Sequence, residues 1–319
     1  MAETKRKSGK SSGGNLLLIL AGLLVLAVIG LAVYIAPGLG STFSSYKESR
    51  AELKAAKAEL AEAQAKRDAK LEEKQAIELD DDEIEAIRNE TFALAVQLET
   101  DIKAGRNKNR ICYLTFDDGP YYRGKNILKI LKKYDVMATF FLTTANGDRL
   151  PDNAQYSAAS MYPEYIRYGH TIGNHTYSHD YGDGGIYRSA GAFMNDVKKQ
   201  EDFTADAAGG FRPKLIRFPG GRATAGGNLE DIEEKLRANG YGWADWTVDS
   251  GDSWGTEDVS PKLIMKQIKD AAKDQTVMVV LCHEWSVNTE KALPEMIEYL
   301  EGKGYIFLPM FYESSTVYK

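Results

Sequence analysis

The 319-residue chain is poor in cysteine, histidine and tryptophan, with two, four and four of them. Two thiols exclude a disulfide-stapled scaffold and a four-thiolate zinc finger. It also lacks a basic excess: 40 Lys and Arg face 46 Asp and Glu, for a net charge of −6. That argues against nucleic acid as a partner, since phosphate binders carry a basic stripe. Hydrophobic residues make up 43% and charged residues 27%, so neither a wholly disordered chain nor a collagen-like one fits.

These scarcities are distributed unevenly. Residues 16–36 contain no charge, and residues 46–101 contain no Gly or Pro. From residue 107 onward come all four His, all four Trp, both Cys and eight of the nine Pro. Residues 1–14 form a basic tail with Lys5, Arg6, Lys7 and Lys10. The apolar run at 16–36, within a segment 15–36, reads as a transmembrane helix: at roughly 1.5 Å per residue it spans about 30 Å of lipid bilayer. The positive-inside rule puts the N-terminus in the cytoplasm and the rest outside the cell membrane, a single-pass topology. A cleaved signal peptide is the rival, but its apolar core runs only ~7–15 residues, and residues 38–40 (Gly-Leu-Gly) make a weak cleavage site. Either way the remainder is extracytoplasmic.

Residues 37–106 are expected to form a helical stalk. Residues 46–78 are rich in strong helix formers. Leu53 and Leu60 sit one heptad apart but Arg67 follows, so a solvated stalk is favoured over a coiled coil that would give a homodimer. Asp80, Asp81 and Asp82 read as the start of a second helix. Ile84, Ile87, Thr91, Leu94, Leu98 and Ile102 then recur at steps of three and four, and Gly105 is a stop. Such a stripe needs a partner: the following domain or another copy.

Residues 107–319 alternate β-prone runs with helical segments. Strands are expected at 111–116, 138–142, 170–173, 215–218, 242–248, 277–282 and 305–308. Helices are expected at 126–134, 163–168, 229–238, 263–272 and 294–301. This is the pattern of a parallel sheet with helices outside, closing into a distorted barrel. In such barrels chemistry sits at the C-terminal strand ends. Five of those ends carry ionisable residues: Asp117 and Asp118, His175 and His179, Arg217, Asp249 and Asp252, and His283. His175 and His179, four apart, would share a metal if they lay on one helical turn. Asp118 or Asp117 would be a third ligand, leaving an open position for water. The zincin motif has Glu after its first His, whereas Thr176 stands here, which disfavours a metallopeptidase.

Five motifs follow in order: residues 115–120 (TFDDGP), 175–179 (HTYSH), 217–221 (RFPGG), 249–254 (DSGDSW) and 281–283 (LCH). Together they resemble the polysaccharide deacetylase family, the NodB-homology carbohydrate esterases, over residues 109–308. The resemblance implies an α/β fold, a distorted (β/α) barrel. It also implies a hydrolase that removes acetyl groups from N-acetylated amino sugars with a divalent metal, usually zinc, with cobalt or another divalent ion as alternatives. Asp118, His175 and His179 would be the ligands. Asp117 would be the base that takes a proton from a water activated by the metal, with Arg217 beside it as counter-charge. His283 would be the acid that protonates the departing amine. Asp252 would orient His283, with Asp249 as second choice. The backbone N–H of Gly220 would stabilise the oxyanion. Two departures blur the substrate: Gly220-Gly221 replace an aromatic common in the turn after the Arg, and Ser253 intervenes before Trp254.

Tyr122 and Trp254 are candidates to touch sugar; Tyr121, Trp246 and Trp285 are weaker ones. His170 reads as structural and Glu284 as solvated. Cys112 and Cys282 stand at opposite strand ends, about 13–16 Å apart at ~3.3 Å per residue, too far for a disulfide. An anchored hydrolase suits a fixed polymer, with peptidoglycan the first choice of partner. The alternatives are a deacetylase or O-acetyl esterase acting on chitooligosaccharide, exopolysaccharide or xylan, and a catalytically silent glycan-binding envelope protein.

Overall fold

The β-prone runs of the sequence lie side by side, every pair parallel, with apolar helix faces packed over one side of the sheet. The computed structural model describes residues 81–145, 158–255 and 259–319, all within one compact unit, Leu79–Lys319. The basic tail, the apolar run at 16–36 and the stalk stretch at 46–78 lie outside the described residues. Among the described residues no helix is long and apolar enough to cross a membrane.

Helix α1 (Asp81–Lys103) comes first. The sheet consists of β1 (Arg110–Gly119), β2 (Thr139–Leu142), β3 (Thr171–Asn174), β4 (Leu215–Ile216), β5 (Gly242–Trp243), β6 (Val248–Asp249), β7 (Val277–His283) and β8 (Tyr305–Phe307). Between the strands run α2 (Gly124–Tyr134), α3 (Tyr162–Arg167), α4 (Ala190–Ala207), α5 (Leu229–Ala238), α6 (Pro261–Ala271) and α7 (Val287–Gly302). The strand order is β5-β4-β3-β2-β1-β7-β6, with β8 pairing the first residues of β1. Serine side chains cap three helices: Ser189, Ser260 and Ser286 accept from the backbone N–H of Ala192, Leu263 and Thr289.

Sequence periodicity anticipates one strand at 242–248. The chain instead forms β5 and β6 there, at opposite ends of the sheet order. A flat seven-strand path at ~4.8 Å per step would set its edges about 29 Å apart. The five Cα steps from Trp243 to Val248 reach at most about 17 Å. The sheet must therefore curl, and the distorted barrel is the result. Helix α7 also differs: it starts at Val287, capped by Ser286, rather than at Pro294, which lies inside it.

Side chains alternate between the two faces of the sheet. Ile111, Tyr113, Phe141, Leu215, Ala244 and Val279 fill the barrel interior. Cys112, Leu114, Phe116, Phe140, Met278 and Val280 face the helices. Helix α1 packs Leu98 and Ile102 against the interior cluster. Leu98 and Ile102 of the apolar stripe thus find their partner surface on the sheet that follows.

Candidate active site

Continuing the inner-face period towards the strand ends replaces apolar residues with polar ones. On β1 the series Ile111, Tyr113 runs on to Thr115 and Asp117; on β4 Leu215 leads to Arg217; on β7 Val279 leads to Leu281 and His283. Strict alternation would turn Asp118 outward. A bulge prevents this. Asp117 pairs with Phe141 and Gly119 with Leu142, so Asp118 is an extra residue in the ladder. Its φ of 69° lies in the left-handed region that Asp tolerates. Two consecutive carboxylates thereby reach one site.

The loop after β3 carries His175 and His179. It is not the helical turn their spacing suggests. Thr176 and His179 have φ of 65° and 50°, and the loop is tied down by side chains. Asn174 Oδ1 accepts from Thr176 N–H at 2.9 Å. Asp196 Oδ2 accepts from the N–H groups of Tyr177 and Ser178 at 2.8 and 2.9 Å. Asp196 sits on α4, a helix that sequence periodicity does not reveal because its buried face carries Asp196, Gln200 and Thr204. The Ser189 cap was the available signal.

His175 donates from Nδ1 to the carbonyl of Arg217 at 2.9 Å, which leaves Nε2 as the lone-pair atom. That atom lies 3.2 Å from His179 Nε2 and 3.6 Å from Asp118 Oδ1; His179 Nε2 lies 3.1 Å from Asp118 Oδ1. The three ligand atoms fall within 4.8 Å of one another. Two imidazole nitrogens and one carboxylate oxygen, buried or partly buried, form a donor set that fits a divalent cation of the zinc type. Burial pushes His175 down to about 4, against the pull of Asp117 and Asp118, so its imidazole is neutral at physiological pH. Burial opposes the charge on Asp118. The His179 hydrogen bond and neighbouring imidazoles outweigh it and hold the carboxyl well below the usual carboxylate range.

Arg217 is fully buried inside the barrel. Its Nη1 lies 3.0 Å from Asp117 Oδ1 and 2.5 Å from Thr115 Oγ1, and its Nε donates to the carbonyl of Ala244 at 3.0 Å. Asp117 Oδ2 stands 3.7 Å from His175 Nε2, next to the three-ligand cluster. Across it, His283 donates from Nδ1 to Asp252 Oδ1 at 2.7 Å, and its backbone N–H donates to Asp252 Oδ2 at 2.7 Å. Burial works against the His283 charge, but the hydrogen-bonded Asp252 carboxylate prevails and raises the imidazole to about 9. Asp249 is engaged elsewhere: it accepts from Trp254 Nε1 at 3.0 Å.

The rim is aromatic. Tyr122 and Trp254 are exposed. Trp254 covers Gly251. Tyr181, which sequence reading passed over, is 48% exposed; its ring meets His179 edge-on at 5.3 Å and borders Gly220. It stands where the glycine pair of the Arg217 turn has no side chain to offer. Gly220 and Gly221, with φ of 70° and 84°, need the freedom of glycine, and Trp246 packs on Gly221 while facing Arg217.

Three other readings are settled here. His170 is structural, its Nδ1 accepting from Ala138 N–H at 3.1 Å. Cys112 and Cys282 are free and buried. Glu284 is not solvated: it is fully buried, and burial raises its carboxyl to about 8, against the hydrogen bonds from Tyr121 N–H and Tyr165. The Trp285 indole, beside it, donates to Asp118 Oδ2 at 2.9 Å.

The polysaccharide deacetylase family model matches residues 104–241. A peptidoglycan-N-acetylglucosamine deacetylase of Bacillus cereus is 30% identical over 204 residues, covering 63% of this chain and 69% of that protein. A chitin deacetylase of Colletotrichum lindemuthianum is 30% identical over 200 residues, covering 60% and 74%. The crystal structure of the catalytic domain of a peptidoglycan N-acetylglucosamine deacetylase from Eubacterium rectale superimposes with a TM-score of 0.59 at 30% identity, over 66% of this chain and 93% of that one. With this likeness, a curled parallel sheet and five motifs gathered at one end of it, the chain belongs to the polysaccharide deacetylase family, the NodB-homology carbohydrate esterases.

Proposed function

We propose that this polysaccharide deacetylase removes acetyl groups from N-acetylated amino sugars of peptidoglycan, and that it does so with a divalent metal, zinc first. The observation that carries this reading is the meeting of Asp118, His175 and His179 within 4.8 Å, flanked by Asp117 on one side and the His283–Asp252 pair on the other. Asp118, His175 and His179 would hold the cation. Bound there, it supplies a Lewis acid that acidifies water and draws charge from the acetyl carbonyl.

The chain's own groups do the rest. Asp117, fixed by Arg217 at 3.0 Å, accepts the proton of the attacking water. The water oxygen adds to the acetyl carbon, and the Gly220 N–H would stabilise the oxygen that gains charge. The carbon–nitrogen bond then breaks. His283, protonated below about pH 9, gives its Nε2 proton to the departing amine. Acetate and a free amino sugar leave. Tyr122, Tyr181 and Trp254 offer faces on which sugar rings stack.

The preference for peptidoglycan rests on the names of the Bacillus cereus and Eubacterium rectale relatives and on the apolar run at 16–36. We read that run as an anchor and residues 37–106 as the stalk, whose last helix, α1, packs on the sheet, which would hold the enzyme on the outer side of the membrane beside a fixed polymer. The test is acetate release from purified peptidoglycan, N-acetylated chitooligosaccharide and O-acetylated xylan, with and without chelator. Release from peptidoglycan, abolished by chelator and restored by zinc, is expected. Release only from xylan would make the protein an O-esterase. Retained glycan binding with no acetate from any polymer would make it a silent binding module.

A further inference from the structure

The turn that carries both aspartates is held by a carboxylate the reaction does not use. His283 ends β7, and residues 283–285 point three ways. His283 faces the site. Trp285 reaches Asp118. Glu284 turns inward beneath the Asp117–Asp118 turn and is fully buried. Its Oε1 accepts from the backbone N–H of Tyr121 at 2.7 Å. The Tyr165 hydroxyl, from α3, meets its two oxygens at 3.0 and 2.9 Å. Its own N–H donates to the carbonyl of Asp117 at 3.1 Å.

The space for this carboxylate is made by two glycines. A Cβ on Gly119 would lie 2.1 Å from Glu284 Oε2, and one on Gly124 would lie 2.1 Å from Oε1. Gly119 directly follows Asp118; Gly124 opens α2. Glu284 thus grips the turn from both sides of Asp118: the Asp117 carbonyl before it and the Tyr121 N–H after it. Burying such a group is costly unless its acceptors are used. A salt bridge would have been the ordinary partner for a buried carboxylate, yet backbone and a tyrosine hydroxyl fill that role. The arrangement spends a buried acid on one short turn.

We infer that Glu284 is a positioning residue that locks the residue 117–121 turn so that Asp118 presents Oδ1 to the metal. The inference rests on the proposed reading of Asp118 as a ligand. Supporting groups of this kind are conventionally worth about 10–100-fold in metal affinity. A Gln at 284 keeps the acceptor for Tyr121 N–H and supplies a donor to the Tyr165 oxygen, so it reproduces the grip without the acid.

The test uses the full chain stripped of metal, with zinc titrated in competition with a chromophoric chelator. Melting of the metal-free protein is followed in parallel. Glu284→Ala is expected to weaken zinc binding by about 10–100-fold, while the metal-free protein still melts cooperatively. Glu284→Gln is expected to restore most of that loss. Gly124→Ala, which displaces the carboxylate while leaving residues 118 and 284 unsubstituted, should weaken zinc in the same direction, and it decides the matter if Glu284→Ala does not fold. Zinc affinity unchanged in folded Glu284→Ala or Gly124→Ala would overturn the inference. So would an equal loss in Glu284→Gln and Glu284→Ala, which would mean that the site needs the carboxyl group itself rather than the grip. A wild-type chain that binds zinc but releases no acetate sinks the proposed function and leaves the ranking of affinities to stand; one that binds no zinc sinks both.

Discussion

The two ends of the barrel bury carboxylates for opposite purposes. At the N-terminal end, Glu99 of α1 accepts from the Tyr113 hydroxyl at 2.7 Å and from Ser315 N–H at 2.7 Å. Leu98 and Ile102 pack beside it on the interior cluster. Glu99 and Tyr113 sit on regular helix and strand, Ser315 lies in a turn, and the acid ties the three together. At the C-terminal end, Asp117 and Asp118 follow one another through a bulge. Asp118, Thr176 and His179 adopt left-handed conformations, each of which costs a non-glycine residue about 1–3 kcal/mol when the structure enforces it. Lone pairs of His175, His179 and Asp118 converge there. One end is built for stability and the other accepts strain to gather ligands, so most substitutions should move either stability or turnover and not both.

Arg217 is the place where that division should break. It belongs to the site end, yet it is fully buried and ties Thr115, Asp117 and the Ala244 carbonyl together. Arg217→Met leaves Asp117 buried without its partner. Urea unfolding should show a loss of about 3–5 kcal/mol, together with loss of acetate release. A variant of wild-type stability would mean that Asp117 finds water or another cation. Glu99→Ala sharpens the contrast from the other end. It removes the acceptor of the Tyr113 hydroxyl and of Ser315 N–H and should cost about 1–3 kcal/mol in the same unfolding experiment, with the turnover of the folded enzyme unchanged. A fall in turnover comparable to that of a site variant would show that this end communicates with the site.

The smallest effect is a shift in pH. In the proposed mechanism His283 acts in its protonated form, so activity should fall as pH rises through its elevated value of about 9. Asp252→Asn removes the hydrogen-bonded carboxylate that raises it. The alkaline limb of the rate profile should then move to lower pH, measured on wild type and variant loaded with the same metal. An unmoved limb would assign that limb to another group.

Much of the site end was legible because its chemistry is written in consecutive residues. Asp117-Asp118, the His175–His179 spacing and Arg217 before a Pro-Gly-Gly turn each sit at a strand end, and period-two alternation carries Asp117, Arg217 and His283 to the inner face. What stayed hidden depends on partners far away in sequence. The 242–248 run looks like one strand because periodicity is local, whereas closure of the sheet divides it between two edges. Helix α4 is hidden because its buried face pairs Gln200 with Tyr162 and Thr144, and Asp196 with the histidine loop. Glu284 reads as a surface acid until Gly119, Gly124 and Tyr165 are brought around it. Nothing in the sequence near Tyr181 announces that it will stand against Gly220. Helix α1 was anticipated from its stripe, but not that it would contribute a buried acid.

The most direct measurement is anomalous diffraction at the zinc edge from crystals of the zinc-loaded protein and of Asp118→Ala. The account predicts one strong peak in the wild type, between Asp118 Oδ1, His175 Nε2 and His179 Nε2, and no peak there in the variant. A wild-type crystal with those three atoms turned apart and no zinc between them would contradict it.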